Sequence, residues 1–364
     1  MRSQGLRPGL YDDPKPEMYG LPFTVDEFHG MPYKRLGGSG LRVSNVGLGT
    51  WKFGYPETGD GARQGEATAL RILDRAAELG ITFWDTAGRY NNASGNSERV
   101  IGRWLDSNPH CRRDIVLATK VFPLMDGRTP NHCRASRTNI IEGAYSSLER
   151  LRTDHIDLLY LHFPDPDTPC DETFCAVEDL IRRDLVRYLG VSNYSVENLT
   201  TCQAIQKEYS FTRCRIVAVQ NQFDILRGEV GDYGGTGVLG YCALHGMSFV
   251  AWSPLAGGLL SDRYTKPAST GAGDRLFDEN LVHTLCTPCV AAKLQSLHEL
   301  SSEWSMTLTQ VALSFMLSIE GMGPVIPAVS SVDQLESNAK AGAMALEPSQ
   351  LSAVAEAVGF EPRL

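Results

Sequence analysis

Eight short apolar segments, separated by stretches of helical periodicity, constrain this chain more than any other feature of its sequence. They lie at residues 46–49, 81–84, 115–119, 156–161, 185–191, 216–219, 248–252 and 324–327. Most are too solidly apolar for strands with one wet face, as expected of parallel strands covered on both sides. Between them, residues 66–80 place Ala69, Ile72, Leu73, Ala76 and Leu79 on one helix face and stop at Gly80. Residues 136–151, 171–184, 195–207 and 307–317 behave similarly, and Thr307 and Gln310 have capping-box spacing. Such alternation within 364 residues favours a closed α/β barrel of the (β/α)8 type. A doubly wound sheet is the alternative, but it would carry a Gly-rich turn after its first strand. Gly47-Leu48-Gly49-Thr50-Trp51-Lys52 lacks the third glycine of that turn.

Residues 1–32 are rich in Pro, Gly and acids without apolar periodicity and read as an N-terminal extension. Residues 33–43 flank Gly37-Gly38-Ser39-Gly40, a hairpin signal. One barrel domain is expected over 33–364, with a C-terminal segment from about 346 to 364. The longest irregular stretch, 256–287, carries Gly257, Gly258, Gly271 and Gly273, and a loop of that length in a barrel is usually functional. The net charge of −9, without a basic stripe, excludes a nucleic-acid partner. No apolar run approaches the ~20 residues of a membrane span, and the N-terminus lacks the apolar stretch of a signal peptide. Nine scattered cysteines point to a reducing compartment, so the cytoplasm is the expected location. Cys286 and Cys289 have redox-motif spacing but follow a Gly-rich stretch and have no second ligand pair. They are expected to be ordinary thiols, and no metal site is expected.

In a barrel, chemistry sits where loops leave the C-terminal ends of the strands. The second segment runs into Trp84-Asp85-Thr86-Ala87-Gly88-Arg89-Tyr90, the third ends Ala118-Thr119-Lys120 and the fourth ends Tyr160-Leu161-His162. The fifth ends Gly190-Val191-Ser192-Asn193 and the sixth Val219-Gln220. One Asp or Lys there is an ordinary structural ion pair. An acid, a phenol, an ammonium and an imidazole on one rim point to catalysis.

The ordered set resembles the aldo-keto reductases from roughly residue 33 to 345. It comprises the hairpin, Gly47-Leu48-Gly49-Thr50-Trp51, Asp85-Thr86-Ala87 with Tyr90, Lys120, His162, Ser192-Asn193, Trp252-Ser253-Pro254-Leu255, and Gln334 with Asn338. Residues 163–169 are most similar to the branch that includes potassium-channel β-subunit-like proteins. The resemblance implies a TIM barrel with the hairpin closing its floor, long βα loops, and a catalytic tetrad of Asp85, Tyr90, Lys120 and His162. Tyr90 is then the general acid/base. A free phenol has a pKa of about 10, and a neighbouring Lys120 ammonium is expected to lower it. Asp85 is expected to hold Lys120, and His162 to orient the carbonyl oxygen or assist the proton relay. The hydride must come from a reduced nicotinamide.

The same resemblance implies cofactor contacts at Gly49, Thr50 and Trp51, and at Ser192, Asn193 and Gln220 for the carboxamide. Trp252 is expected to stack on the nicotinamide, and Ser253, Pro254, Leu255, Gly257 and Gly258 to approach the pyrophosphate. Ser330, Gln334 and Asn338 are expected at the adenosine end. Ser330 stands where the family often has a basic residue for a 2′-phosphate, so Arg263, Lys266 or Arg275 is expected to supply the cation. Ser337 replaces the usual acid before Asn338, with Glu336 adjacent. NADP(H) is expected over NAD(H). Trp51, Tyr55, Phe122 and Phe163 are expected to wall an apolar pocket for a small carbonyl compound or sugar. The implied function is reversible hydride transfer. The alternative is a cofactor-loaded regulatory subunit without significant turnover. That branch tends to carry an amide at the position of His162.

Overall fold

The computed structural model describes residues 26–122, 129–210, 213–231, 234–265 and 271–360. Eight parallel strands follow one another around a single sheet: β1 (Leu48–Gly49), β2 (Phe83–Asp85), β3 (Val116–Val121), β4 (Ile156–Leu161), β5 (Val186–Ser192), β6 (Ile216–Asp224), β7 (Ser248–Trp252) and β8 (Met322–Ile326). Parallel bridges from Val46 to Val325 and from Gly49 to Ala328 close the ring. The outer layer is α1 (Glu66–Glu78), α2 (Asn96–Ser107), α3 (Arg137–Leu151), α4 (Cys170–Arg182), α5 (Val196–Glu208) and α6 (Val238–His245). α7 (Pro288–Glu303) and α8 (Leu308–Leu317) precede β8, and α9 (Val332–Ala343) and α10 (Pro348–Val358) follow it. This is the (β/α)8 barrel expected from the alternation. No helix among the described residues is long and apolar enough to cross a membrane.

Strand periodicity sorts the side chains into two cores. Phe83, Ala118, Leu158, Tyr160, Ala218, Val250 and Ile326 fill the barrel interior. Their chain neighbours Trp84, Leu117, Leu159, Val219, Phe249 and Val325 face the helices. Because side chains alternate with period two, residues two positions beyond the inner set also point inward. That register carries Asp85, Lys120, His162 and Gln220 to the C-terminal end of the barrel. Position thus follows from counting along each strand.

The opposite end is plugged by the hairpin, Met31–Arg35 paired with Arg42–Ser44. Leu36 and Val43 are fully buried in the inner cluster. A further antiparallel strand, Glu27–Phe28, precedes it, and Met31 is only 2% exposed. The folded part therefore starts before residue 33, because a turn through His29 and Gly30, both at positive φ, returns the chain onto the hairpin. Residues 1–25 of the expected extension lie outside the described residues. At the other terminus, α10 packs on α7 with Val354 and Val358 buried.

Gly37 shows how tightly the plug fits. Its backbone has φ 54°, and its amide donates to Ser248 Oγ at 2.7 Å. A Cβ there would lie 2.3 Å from the Val217 carbonyl oxygen, whereas one on Gly40 would meet nothing within 4 Å. Gly37→Ala is expected to lower the unfolding free energy by about 2–4 kcal/mol, from left-handed strain and a displaced contact. Urea midpoints of Gly37→Ala and Gly40→Ala check this; a Gly40→Ala variant as unstable as Gly37→Ala contradicts it.

Candidate active site

Asp85, Lys120, Tyr90 and His162 converge at the C-terminal mouth. Lys120 Nζ donates to Asp85 Oδ1 at 2.5 Å, to Tyr90 Oη at 2.7 Å and to the Thr86 carbonyl at 3.1 Å. All three donors of an ammonium are thereby used. Tyr90 Oη donates to Asp85 Oδ1 at 3.1 Å, and Gln220 Nε2 donates to Asp85 Oδ2 at 2.7 Å. The His162 ring stands edge-on to Tyr90, with centroids 6.2 Å apart. Behind the tetrad, Tyr160 pairs in register with Lys120 and with Gly190. A Cβ on Gly190 would lie 2.4 Å from the Tyr160 ring, so glycine makes room for that phenol.

Electrostatics assign protonation states. Burial lowers the Lys120 pKa, and Asp85 opposes the change. Burial, reinforced by the Asp85 carboxylate and Tyr160, pushes the Tyr90 phenol well above its ordinary value. This corrects the expectation that Lys120 lowers it. The ammonium charge is balanced by Asp85, so desolvation of the phenolate decides the sign. Tyr90 is half-buried overall, but its hydroxyl lies among the buried groups. Burial, aided by Lys120 and Arg89, holds His162 well below the usual imidazole value. The resting site thus contains a neutral phenol and a neutral imidazole.

Next to the tetrad, Asn193 Nδ2 donates to the His162 carbonyl at 3.0 Å, and its Oδ1 accepts from Trp252 Nε1 at 3.3 Å. Ser192 Oγ donates to the Gln220 carbonyl at 2.8 Å. Asn193 takes φ 64°, a conformation that Asn tolerates better than most residues. After β7 the chain turns tightly at Ser253, Pro254 and Leu255, with Gly257 and Gly258 at φ 71° and 114°. Ser331 Oγ caps α9 by accepting from the Gln334 amide, and Ser330 Oγ donates to Gln334 Oε1 at 3.1 Å. Asn338 is buried on the same helix. Amides at one end, a half-buried indole, a glycine turn and a capped helix start suit a nicotinamide dinucleotide.

The other expected residues have partners of their own. Thr50 is buried, and its hydroxyl donates to the Asp85 carbonyl at 2.9 Å. Gly49 is required by packing, since a Cβ would lie 2.9 Å from the Ile326 carbonyl oxygen. Tyr55 Oη donates to Glu66 on α1 at 3.2 Å, with Arg103 over its ring. Phe163 stacks on His162 at 4.8 Å, and Phe122 meets Phe163 edge-on at 5.7 Å. Trp51 lies 6.4 Å from the Tyr90 ring, covered by Lys52 and Arg275. Arg275 also pairs with Glu279, Arg263 with Asp274, and Glu336 with Arg75 on α1. Lys266 and residues 123–128 lie outside the described residues. Ion pairs Arg63–Asp278 and Lys52–Glu279 complete a clasp between the loops after β1 and β7.

Two residues near the site carried no role in the sequence reading. Arg89 places its guanidinium 5.1 Å from the Phe163 ring centroid. Tyr160 was detectable, because it lies two residues before His162 and so shares its strand face.

The family described as "Aldo/keto reductase family" matches residues 45–358. An aldo-keto reductase of Alternaria alternata (AMT2) is 31% identical over 91% of this chain and 92% of its own length. An uncharacterized oxidoreductase of Bacillus subtilis (YrpG) is 34% identical over 87% of this chain and 93% of its own. A probable voltage-gated potassium channel subunit beta of Arabidopsis thaliana is 30% identical over 85% and 91%.

The electrostatics of His162 can be checked without any assay of turnover. Nitrogen NMR of histidine-labelled protein is expected to show His162 as neutral imidazole from about pH 6 to about pH 8. A titration of that signal near the free imidazole value contradicts the arrangement.

Proposed function

The chain belongs to the aldo/keto reductase family of oxidoreductases, which use nicotinamide cofactors, and on that premise we propose a specific assignment. The reaction is reversible hydride transfer between NADP(H) and a small aldehyde, ketone or sugar, with Tyr90 as general acid/base. The observation that carries this reading is the single point where Tyr90 Oη meets both Lys120 Nζ at 2.7 Å and Asp85 Oδ1 at 3.1 Å. A reduced nicotinamide, when bound, supplies the hydride. Ser192, Asn193 and Gln220 would hold its carboxamide, Trp252 its ring, and the turn from Ser253 with the start of α9 its phosphates.

In reduction, Tyr90 gives its proton to the alkoxide oxygen that develops on the substrate. The phenolate left behind faces the Lys120 ammonium, which already donates to that oxygen. Asp85 keeps Lys120 charged and in place, and Gln220 and Thr50 hold Asp85. Neutral His162 hydrogen-bonds the carbonyl oxygen and adds no charge that would compete for it. Trp51, Phe122 and Phe163 offer an apolar wall that excludes water. In oxidation the proton travels back to Tyr90.

The preference for NADP(H) draws support from Arg263 and Arg275, which lie on the loop after β7. Each now pairs with a carboxylate, which a 2′-phosphate would replace as a bidentate acceptor. A cytoplasmic location is supported by nine free thiols. The likeness to channel β subunits supports a second reading, a regulatory subunit that binds cofactor without turnover.

NADPH oxidation with a panel of aldehydes and sugars separates the two readings. At least one substrate is expected to turn over, and Tyr90→Phe to lower kcat by about 10²–10⁴-fold with cofactor affinity nearly unchanged. A cofactor-binding protein inert across the panel favours the regulatory reading, and turnover retained in Tyr90→Phe removes the assignment. Quenching of protein fluorescence is expected to show tighter binding of NADPH than of NADH; the reverse order overturns the cofactor preference.

A further inference from the structure

Two thiols that play no part in this chemistry lie in contact. Cys170 opens α4 and Cys202 sits on the buried side of α5, with their Sγ atoms 3.7 Å apart. We propose that Cys170 and Cys202 are a hydroperoxide-reactive dithiol, a modification site at which the chain closes an intramolecular disulfide.

The two sulfurs have unequal roles. Cys170 is partly exposed and occupies the first position of a 13-residue helix, where free amides and the helix dipole favour an anion. Cys202 is 4% exposed, so its thiol is shielded from solvent and from outside reagents. The contact admits a hydrogen bond in either direction, and the one that leaves the negative charge on the more accessible sulfur has the Cys202 thiol donating to Cys170. It lowers the Cys170 pKa, against burial and Asp171, and raises that of Cys202. An accessible thiol whose anion is favoured, beside a shielded second thiol, is the arrangement of an attacking and a resolving cysteine. Cys175 and Cys289 are more exposed, but neither is in hydrogen-bond contact with another thiol.

The chemistry balances in two steps. The Cys170 thiolate attacks one oxygen of the hydroperoxide, the O–O bond breaks, and an alcohol or water leaves with a proton. Cys170 is then a sulfenic acid. Cys202 attacks the Cys170 sulfur, the S–O bond breaks, and hydroxide leaves as water with the Cys202 proton. Two thiols have lost two electrons, and one hydroperoxide has been reduced. The sulfurs must close from 3.7 Å to about 2.05 Å, a small approach for a side chain on a first helical turn.

The place of the bond matters. Cys170 ends the segment that leaves His162 and carries Phe163, while α5 follows directly on Ser192 and Asn193. A disulfide ties the segment bearing one wall of the site to the helix behind the other.

The test uses the reduced full chain treated with equimolar hydrogen peroxide, digested without reductant and analysed by mass spectrometry. The expected product is a Cys170–Cys202 linked peptide, reversed by dithiothreitol, with two of the nine thiols lost to titration. In Cys202→Ser the disulfide is expected to disappear and a dimedone adduct to appear at Cys170. Oxidation confined to Cys175 or Cys289, with no Cys170–Cys202 peptide in the wild-type protein, overturns the proposal. A dimedone adduct on Cys202 rather than Cys170 overturns the division of roles.

Discussion

The ion pair between Asp85 and Lys120 is the constraint around which the mouth of the barrel is arranged. Its side chains are 2% and 1% exposed, and the pair has been withdrawn almost fully from water. Such a pair is tolerated only when its remaining donors and acceptors are satisfied, and losing one partner costs about 3–5 kcal/mol. The surroundings meet that demand atom by atom. Thr86 and Tyr90 take the other Lys120 donors, Gln220 fills the second Asp85 oxygen, and Thr50 fixes the Asp85 backbone. On the outer face of the same strand, Thr119 donates to Glu98, which pairs with Arg150 at 2.6 Å. Two buried ion pairs thus hold β3 from both sides.

A consequence follows for Tyr90. In the resting site its proton points to Asp85, and its oxygen accepts from Lys120. The phenol is therefore engaged twice before any carbonyl compound arrives. With Tyr90 as the proposed general acid, a substrate oxygen has to draw the proton away from a carboxylate, which an ordinary neutral carbonyl does poorly and a developing alkoxide does well. On the assignment proposed above, proton delivery accompanies the advance of hydride transfer rather than preceding it.

Much of this was legible in the sequence because strand periodicity is local. Counting by twos from Leu158 through Tyr160 reaches His162, and counting from Ala118 reaches Lys120. The barrel and the composition of its mouth follow from such short-range patterns, together with the ordered motifs. Partners distant along the chain were not legible. Glu336 stood beside Ser337 in sequence, yet it is held by Arg75 on α1. Arg263 and Arg275 stood as spare cations, yet each has a carboxylate nearby in space. The direction of the Tyr90 shift depends on how fully the site is buried, which no spacing reports. The cysteines make the same point. Cys286 and Cys289 attracted attention by spacing, while the thiols in contact are Cys170 and Cys202, brought together by two neighbouring helices.

The clasp across the mouth contrasts with the pair beneath it. Arg63–Asp278, Lys52–Glu279 and Arg275–Glu279 are all solvent-accessible, and ion pairs of that kind contribute about 0–1 kcal/mol each. The centre is held by interactions whose loss would be severe, and the rim by interactions whose loss would scarcely register. Substitutions in the two loops are therefore expected to change stability little, and those at the centre to change it severely. The covering of the mouth is thus free to vary without disturbing the buried pair beneath it.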